Sequence, residues 1–446
     1  MSTKWQLGVI LLISIAVHFA FFGNPAETVF DEVHFGKFVS GYYTGEYYFD
    51  IHPPLGKLMI AGFAKLFDFE PQYSFINIGD KFPDNKYLVL RFLPALTGTL
   101  LPLVIYLLVL ELGMSRMAAF AGALFVVFDN ALLTQSRLML LDPFLLLFGF
   151  TSLLFYFKYT KNRILNTKYL ILTAIFAGLA ISIKWTGLGF IALPILVEAA
   201  KAVKIPRTDI KPAIAGFMSV LKLASFFLIS LAIYFSIFVL HFALLPNPGS
   251  GDAFMKPNFR EQNVVKNIVN LNIEMYKSNQ RITTSHPYSS QFYTWPLMAR
   301  PIYYWVNGNA RIYFFGNPII WWSSTIAVAI SLWLTAYGLW IKIKKYSKPS
   351  SIVHSPLAFF LGGYFLNLLP FIGVKRVMFL YHYLTALIFA ILMLCYLADH
   401  NKNSRKIFTG IIIAAIAAFL FFAPLSYGLP LSEKAYSARV WFANWR

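Results

Sequence analysis

Long apolar runs, separated by short polar or basic segments, repeat along the whole 446-residue chain. A helix that crosses a bilayer needs about 20 apolar residues. Eleven runs qualify: 5–22, 88–112, 116–129, 138–157, 168–184, 186–200, 217–244, 322–341, 354–372, 378–397 and 407–424, the third, fifth and sixth being short or closely joined. The pattern predicts an all-α integral membrane protein, a single domain over 1–446, with long polar interruptions at 23–87 and 245–321. Neither interruption carries enough apolar repeats for a core of its own, so both are expected to pack on the membrane part. Within the first, "LGKLMIAGFAKLFD" (55–68) spaces its apolar residues at helical intervals and reads as an amphipathic interfacial helix, with Lys57 and Lys65 snorkelling.

Lysine and arginine in short loops orient such a protein, because they are retained on the cytoplasmic side. The basic short loops are Lys158–Lys168, Lys201–Lys211, Lys342–Lys348 and Lys402–Lys406. Eleven spans with a cytoplasmic N-terminus put all four inside. The same count puts 23–87, 245–321 and the C-terminal tail outside, and the expected location is the plasma membrane. The first run lacks a small-x-small cleavage site and reads as an uncleaved span, the alternative being a signal peptide. Composition changes this picture little: 58% of residues are hydrophobic and 13% charged, which suits lipid as the solvent. Lys+Arg number 38 against 19 Asp+Glu, a net charge of +19, but the basic residues sit at the ends of apolar runs, so nucleic acid is not the expected partner. Cys395, the one cysteine, lies inside an apolar run and reads as packing.

Acids are few, so their grouping carries information. Asp31, Glu32 and Asp50 all fall in the first polar segment, close to the membrane plane, where a carboxylate needs a task or a partner. Neighbouring residues point in different directions. Only one of Asp31 and Glu32 can therefore be the central group, while the other orients a substrate or partner. Spacing alone also allows Asp31 to be the N-cap of a loop helix. Four basic residues, Arg91, Arg137, Lys184 and Arg376, stand at the outer ends of spans, against the orientation rule. Singly, each could snorkel to lipid headgroups. Together with an acidic loop they suggest an anion at the membrane surface, such as a phosphate. Asp142 reads as a partner for a base such as Arg137 or as a helix cap. His382, flanked by Tyr381 and Tyr383, is a candidate for lining a polar pocket.

No HExxH, CxxC pair, Walker loop or GxGxxG occurs, so metal and nucleotide sites have no sequence support, and no cofactor or metal requirement is expected. A nucleotide-free enzyme outside the cytoplasm needs a donor activated elsewhere, and a lipid-linked phosphosugar fits basic residues beside spans.

"FDEVHFGKF" and "YFDIHPPLGKLMIA" together resemble the first-loop signature of the protein O-mannosyltransferases, the dolichyl-phosphate-mannose-protein mannosyltransferase family. "QSRLMLLDPFLLLF", "IKWTGLGF", "HPYSSQFYTWPLMARPIYYW", "GNPIIWW" and "RVMFLYHYLTALIF" follow in that family's order. The resemblance implies a GT-C glycosyltransferase fold. It implies transfer of mannose from a polyprenyl-phosphate carrier to Ser or Thr hydroxyls of proteins crossing the membrane, and it allows a dimer. It implies that the catalytic Asp-Glu pair is Asp31 and Glu32 and that Arg91 is the important arginine opening the second span. Eukaryotic members carry a β-trefoil (MIR) module in the large outer loop. Residues 245–321 are too short for it, which resembles bacterial members and a polyprenyl rather than a dolichyl carrier.

On this reading Asp31 accepts the acceptor hydroxyl's proton and Glu32 holds the acceptor or the sugar. Arg91 and Arg376, with Arg137 or Lys184, stabilise the departing lipid phosphate. Asp50, His52, Tyr381 and His382 line the substrate site. One base and no enzyme nucleophile imply inversion at the anomeric carbon. The alternatives are a GT-C transferase acting on a lipid or envelope polymer and a lipid-phosphate transporter or flippase, which would need the arginines but not Asp31 as a base.

Overall fold

A computed structural model describes residues 2–161, 167–202, 210–281, 283, 285–344 and 356–446. The expected basic loops 158–168, 201–211 and 342–348 lie partly outside these residues. The chain opens with α1 (Thr3–Phe19). The first polar segment then folds into α2 (Glu32–Thr44) and α3 (Leu55–Lys65). Next come α4 (Tyr87–Glu111), α5 (Arg116–Val127), α6 (Asn130–Ser136), α7 (Asp142–Lys161), α8 (Thr167–Ile181), α9 (Leu188–Ala202) and α10 (Ile210–Leu244). The second polar segment carries α11 (Val264–Arg281) and an antiparallel hairpin of β1 (Ile302–Asn307) and β2 (Ala310–Phe314). Last come α12 (Pro318–Lys344), α13 (Pro356–Leu368), α14 (Leu384–Asp399), α15 (Ser404–Tyr427) and the short α16 (Glu433–Ser437).

Among the described residues, seven helical segments are long and apolar enough to cross a membrane, and α5 with α6, bent by 58°, makes an eighth. The shorter apolar helices α1, α8 and α9 complete the correspondence with the eleven expected runs. The bend has a physical cause. Asp129 caps α6 by accepting the Leu132 N–H at 3.0 Å, and it also accepts the Asn317 N–H at 3.0 Å and the Trp321 indole N–H at 2.8 Å. A carboxylate this deep is tolerated only because several donors satisfy it. The fourth expected run begins later than its apolar pattern suggests, at Asp142, because residues 137–141 leave helical geometry and the Met139 N–H is taken by Glu32 at 2.9 Å.

Helix α14 forms the centre, with 78% of its spanning window buried, whereas the window of α10 is only 22% buried and stands at the edge. Helices α4, α5 and α7 supply much of the remaining core. Small residues let helices approach: a Cβ added at Gly178 would come within 2.9 Å of the Ser230 carbonyl oxygen, and the Ser230 hydroxyl donates to the Ala174 carbonyl at 2.9 Å. Close approach at small residues is how apolar helices pack without a hydrophobic force between them. Gly178→Val should push α8 off α10. The expected result is a loss of roughly 1–3 kcal/mol, read as a lower thermal midpoint in detergent.

Candidate active site

The Asp-Glu pair divides at the start of α2. Phe30 takes left-handed backbone geometry (φ 49) and stacks on Tyr304 with ring centroids 3.8 Å apart. A left-handed non-glycine residue is held only when its surroundings over-determine it. That turn sends Glu32 inward and Asp31 outward. Glu32 is fully buried and accepts the Val29 N–H, the Met139 N–H and two donors of Arg91, Nε at 2.7 Å and Nη2 at 2.6 Å. The remaining N–H groups of Arg91 go to the carbonyls of Gly23, Pro25 and Glu27 at 2.7–3.0 Å. Arginine has five N–H groups, and every one is committed inside the protein. The expectations that Arg91 binds phosphate and that Glu32 holds a substrate are therefore corrected: the two residues hold each other and the loop.

Arg137 is corrected in the same way. Its guanidinium donates to the carbonyls of His18, Ala20 and Phe21, lies 4.5 Å over the Tyr427 ring and is buried, so it fastens the end of α1. Asp142 pairs with Lys184 at 2.8 Å instead of with Arg137, and it also accepts from Gln135, whose own oxygen accepts the Tyr304 hydroxyl. Lys57 does not snorkel. It is buried, ion-paired with Asp50, bonded to the His52 carbonyl at 2.9 Å, and flanked by the Phe38 and Tyr48 rings.

Two adjoining cavities remain. The larger, about 480 Å3, is lined by Asp31, His34, Asp50, His286 and Phe379. The smaller, about 230 Å3, is lined by Asp142, Lys184, Tyr276, Asn279 and His382. Ile51, His52, Arg376 and Tyr381 line both and form the shared wall. Asp31, Asp50, His52, Lys184, Arg376, Tyr381 and His382 thus meet in one place. Arg376 donates to Asn279 Oδ1 at 2.6 Å and to His382 Nε2 at 3.0 Å. Because arginine only donates, His382 Nε2 is the acceptor and its Nδ1 carries the hydrogen toward the Phe379 carbonyl at 2.9 Å. Asn279 on α11 went unnoticed in the sequence, although Ile268, Leu271 and Met275 mark the buried face of an amphipathic helix that would have placed it. His34 and His286 also line the larger cavity, and no pattern singled them out.

Asp31 stands at the N-cap position of α2, yet its side chain makes no capping bond. Its carboxyl is raised to about 6, chiefly by removal from water. Within that balance His34 and Lys184 act to lower it, and Asp142 and Asp50 to raise it. His52 is held well below the usual imidazole range, chiefly by burial and then by Lys184, Arg376 and Lys57, so it is neutral. The site therefore offers a carboxylate that can take a proton near neutrality at one end. Lys184 faces the smaller cavity, and Arg376 stands between the two cavities and faces both.

The family described as dolichyl-phosphate-mannose-protein mannosyltransferase matches residues 8–246. The C-terminal four-helix region of protein-O-mannosyltransferase matches residues 264–445. The dolichyl-phosphate-mannose-protein mannosyltransferase 4 of Schizosaccharomyces pombe is 35% identical over 282 residues, 58% of this chain and 35% of that protein. The protein O-mannosyl-transferase 2 of Danio rerio is 30% identical over 62% of this chain and 38% of that protein. The matches thus span little more than a third of these relatives. The solved Saccharomyces cerevisiae protein O-mannosyltransferase Pmt1-Pmt2 complex bound to the sugar donor superposes with a TM-score of 0.92 at 20% identity, covering 99% of this chain and 92% of that one. ArnT from Cupriavidus metallidurans bound to undecaprenyl phosphate superposes at 0.55 with 14% identity, covering 96% and 77%. Both likenesses establish the all-α GT-C membrane fold.

The buried pair gives a test that separates scaffold from chemistry. Breaking it by Arg91→Ala leaves Glu32 charged and unpaired, an expected loss of roughly 3–5 kcal/mol. Thermal unfolding in detergent should show that loss for Arg91→Ala and none for Asp31→Asn.

Proposed function

The chain belongs to the dolichyl-phosphate-mannose-protein mannosyltransferase family, and on that premise we propose that it moves mannose from a polyprenyl-phosphate carrier to Ser or Thr hydroxyls of proteins. The observation that carries the reading is that a proton-accepting Asp31 lines one cavity, Lys184 lines the adjoining one, and Arg376 stands in the wall that they share. The donor phosphate sits in the smaller cavity beside Lys184 and Arg376, and the acceptor hydroxyl enters the larger one beside Asp31. A hydroxyl is a poor nucleophile at neutral pH. A carboxylate within hydrogen-bond reach takes its proton as the new C–O bond forms, worth roughly 10²–10⁴-fold. The bond from the anomeric carbon to the phosphate oxygen breaks, and the two cations stabilise the charge that collects there. Asp50, His52, Tyr381 and His382 shape the space between, with Lys57 holding Asp50 and the His52 carbonyl in position.

A single displacement inverts the anomeric carbon. The two cations supply the electrostatic work that a divalent ion would otherwise do, so transfer should persist in chelator. The proposed setting is a plasma membrane with the N-terminus inside and both cavities open to the outer side, where acceptors arrive as they cross, and a dimer is an allowed assembly. A lipid or polymer acceptor, or transport without chemistry, would use the same cations.

The test supplies polyprenyl-phosphate-mannose and a Ser/Thr-rich peptide to protein in nanodiscs. Wild type should label the peptide, and Asp31→Asn should lose 10²-fold or more. Unchanged ligand movement in Asp31→Asn without peptide labelling in wild type would favour the transporter. Asp31 works only when ionised. With its carboxyl raised to about 6, transfer should hold above that pH and fall about tenfold per unit below it. NMR of the product linkage should show inverted configuration, and retention would overturn the single displacement.

A further inference from the structure

Tyr304 of β1 is 1% exposed and makes two separate kinds of contact. Its ring stacks on Phe30 with centroids 3.8 Å and planes 7° apart, and it lies nearly parallel to Phe314 of β2 at 5.6 Å. Its hydroxyl donates to Gln135 Oε1 at 2.8 Å. Gln135 Nε2 donates in turn to Asp142 Oδ2 at 2.5 Å, and Asp142 accepts from Lys184 Nζ on both oxygens, at 2.8 and 2.9 Å. The series closes on itself through Tyr381. Lys184 Nζ lies 5.4 Å over the Tyr381 ring, which meets Phe30 edge-on at 6.2 Å.

The donors give this series a direction. A hydroxyl that donates to the amide oxygen leaves the amide NH2 for Asp142, and the carboxylate is left to accept from the ammonium. An amide turned round would set its oxygen against the carboxylate, and Gln135 is too deeply buried for water to repair that. Two contacts to Asp142 leave one of the three N–H groups of Lys184 for the smaller cavity. The ring of Tyr304 acts elsewhere. Phe30 holds the left-handed turn that parts Asp31 from Glu32, and such a turn lasts only while its neighbours hold it. The strand that carries Tyr304 is itself tied to the first polar segment, because Trp305 Nε1 and Asn307 Nδ2 each donate to Glu27 at 2.9 Å.

We propose that Tyr304 is a positioning residue for both ends of the site, its ring for Asp31 and its hydroxyl, through Gln135 and Asp142, for Lys184. Tyr304 and Gln135 line neither cavity, so they act only through the groups that do. What Asp31 and Lys184 do in transfer rests on the function proposed above, whereas the contacts that place them do not.

The test is chemical footprinting of the full chain in nanodiscs, read by mass spectrometry. Acetic anhydride labels lysines, and a water-soluble carbodiimide with glycine ethyl ester labels carboxylates. Tyr304→Phe keeps the ring and loses the hydroxyl. Acetylation of Lys184 should then rise roughly threefold to tenfold, as for one lost hydrogen bond, while Asp31 keeps its wild-type labelling rate. Gln135→Leu should give the same rise, and adding Tyr304→Phe to it should give no more, because both act through one series of bonds. Tyr304→Leu removes the ring as well and should also change Asp31 labelling, roughly threefold or more. Unchanged Lys184 labelling in Tyr304→Phe would overturn the role of the hydroxyl, and so would additive rises in the double variant. Unchanged Asp31 labelling in Tyr304→Leu would overturn the role of the ring. A rise at the buried Lys57 equal to that at Lys184 would mean general loosening and overturn both. In the transfer assay Tyr304→Phe should raise donor KM and leave acceptor KM alone, and Tyr304→Leu should lower kcat as well. Wild type that transfers no mannose would sink the proposed function and leave the footprints to decide the positioning.

Discussion

A single buried ion pair organises this molecule. Arg91 and Glu32 are both out of water, and burying two charges is expensive unless every donor and acceptor is matched. Here they are matched, by a bidentate contact, three backbone carbonyls and two backbone N–H groups. The contacts come from three parts of the chain: the loop before α2, the first turn of α4 and the irregular stretch between α6 and α7. Satisfying one guanidinium therefore fixes how the first polar segment sits on the bundle. Asp31, one residue before Glu32, is aimed at the cavity as a consequence.

The same logic runs outward to the cavity walls. Lys57 under Asp50 and His52, Asp142 with Lys184, and Asn279 with Arg376 each tie a wall group to a partner from a different element. Such supporting contacts hold reacting groups in place before substrate arrives. They also sort the charges. Arg91, Arg137 and Lys57 are turned into the protein and build the scaffold, whereas Lys184 and Arg376 keep a side toward the smaller cavity. In the proposed reaction, negative charge then appears where fixed positive charge already stands, and the proton leaves at the opposite end.

The bilayer completes the arrangement. The core helix α14 is shielded by protein, while α10 stands at the edge, with only 22% of its Leu221–Leu244 window buried. The cavities are walled by polar-loop residues such as Ile51 and His52 and by Arg376 and Tyr381 ahead of α14.

Read alone, the sequence determined the helical spans, because apolar runs of spanning length have no other stable solvent. It also determined the loop helix, expected at 55–68 and found at Leu55–Lys65, and the grouping of acids and bases into one region. It singled out Asp31, Asp50, His52, Lys184, Arg376, Tyr381 and His382, all of which line the cavities. It could not separate those residues from Arg91, Glu32 and Arg137, which carry the same charges at similar positions. Nor could it show that Lys57 turns inward to Asp50 or that Asn279 reaches Arg376. Whether a charged group is a tool or a fastening depends on which partners surround it. Those partners come from residues as far apart as Glu32 and Met139, or Asn279 and Arg376. Chain order sets hydrophobicity and therefore the spans, and only the packed structure decides where each ion finds its counter-ion.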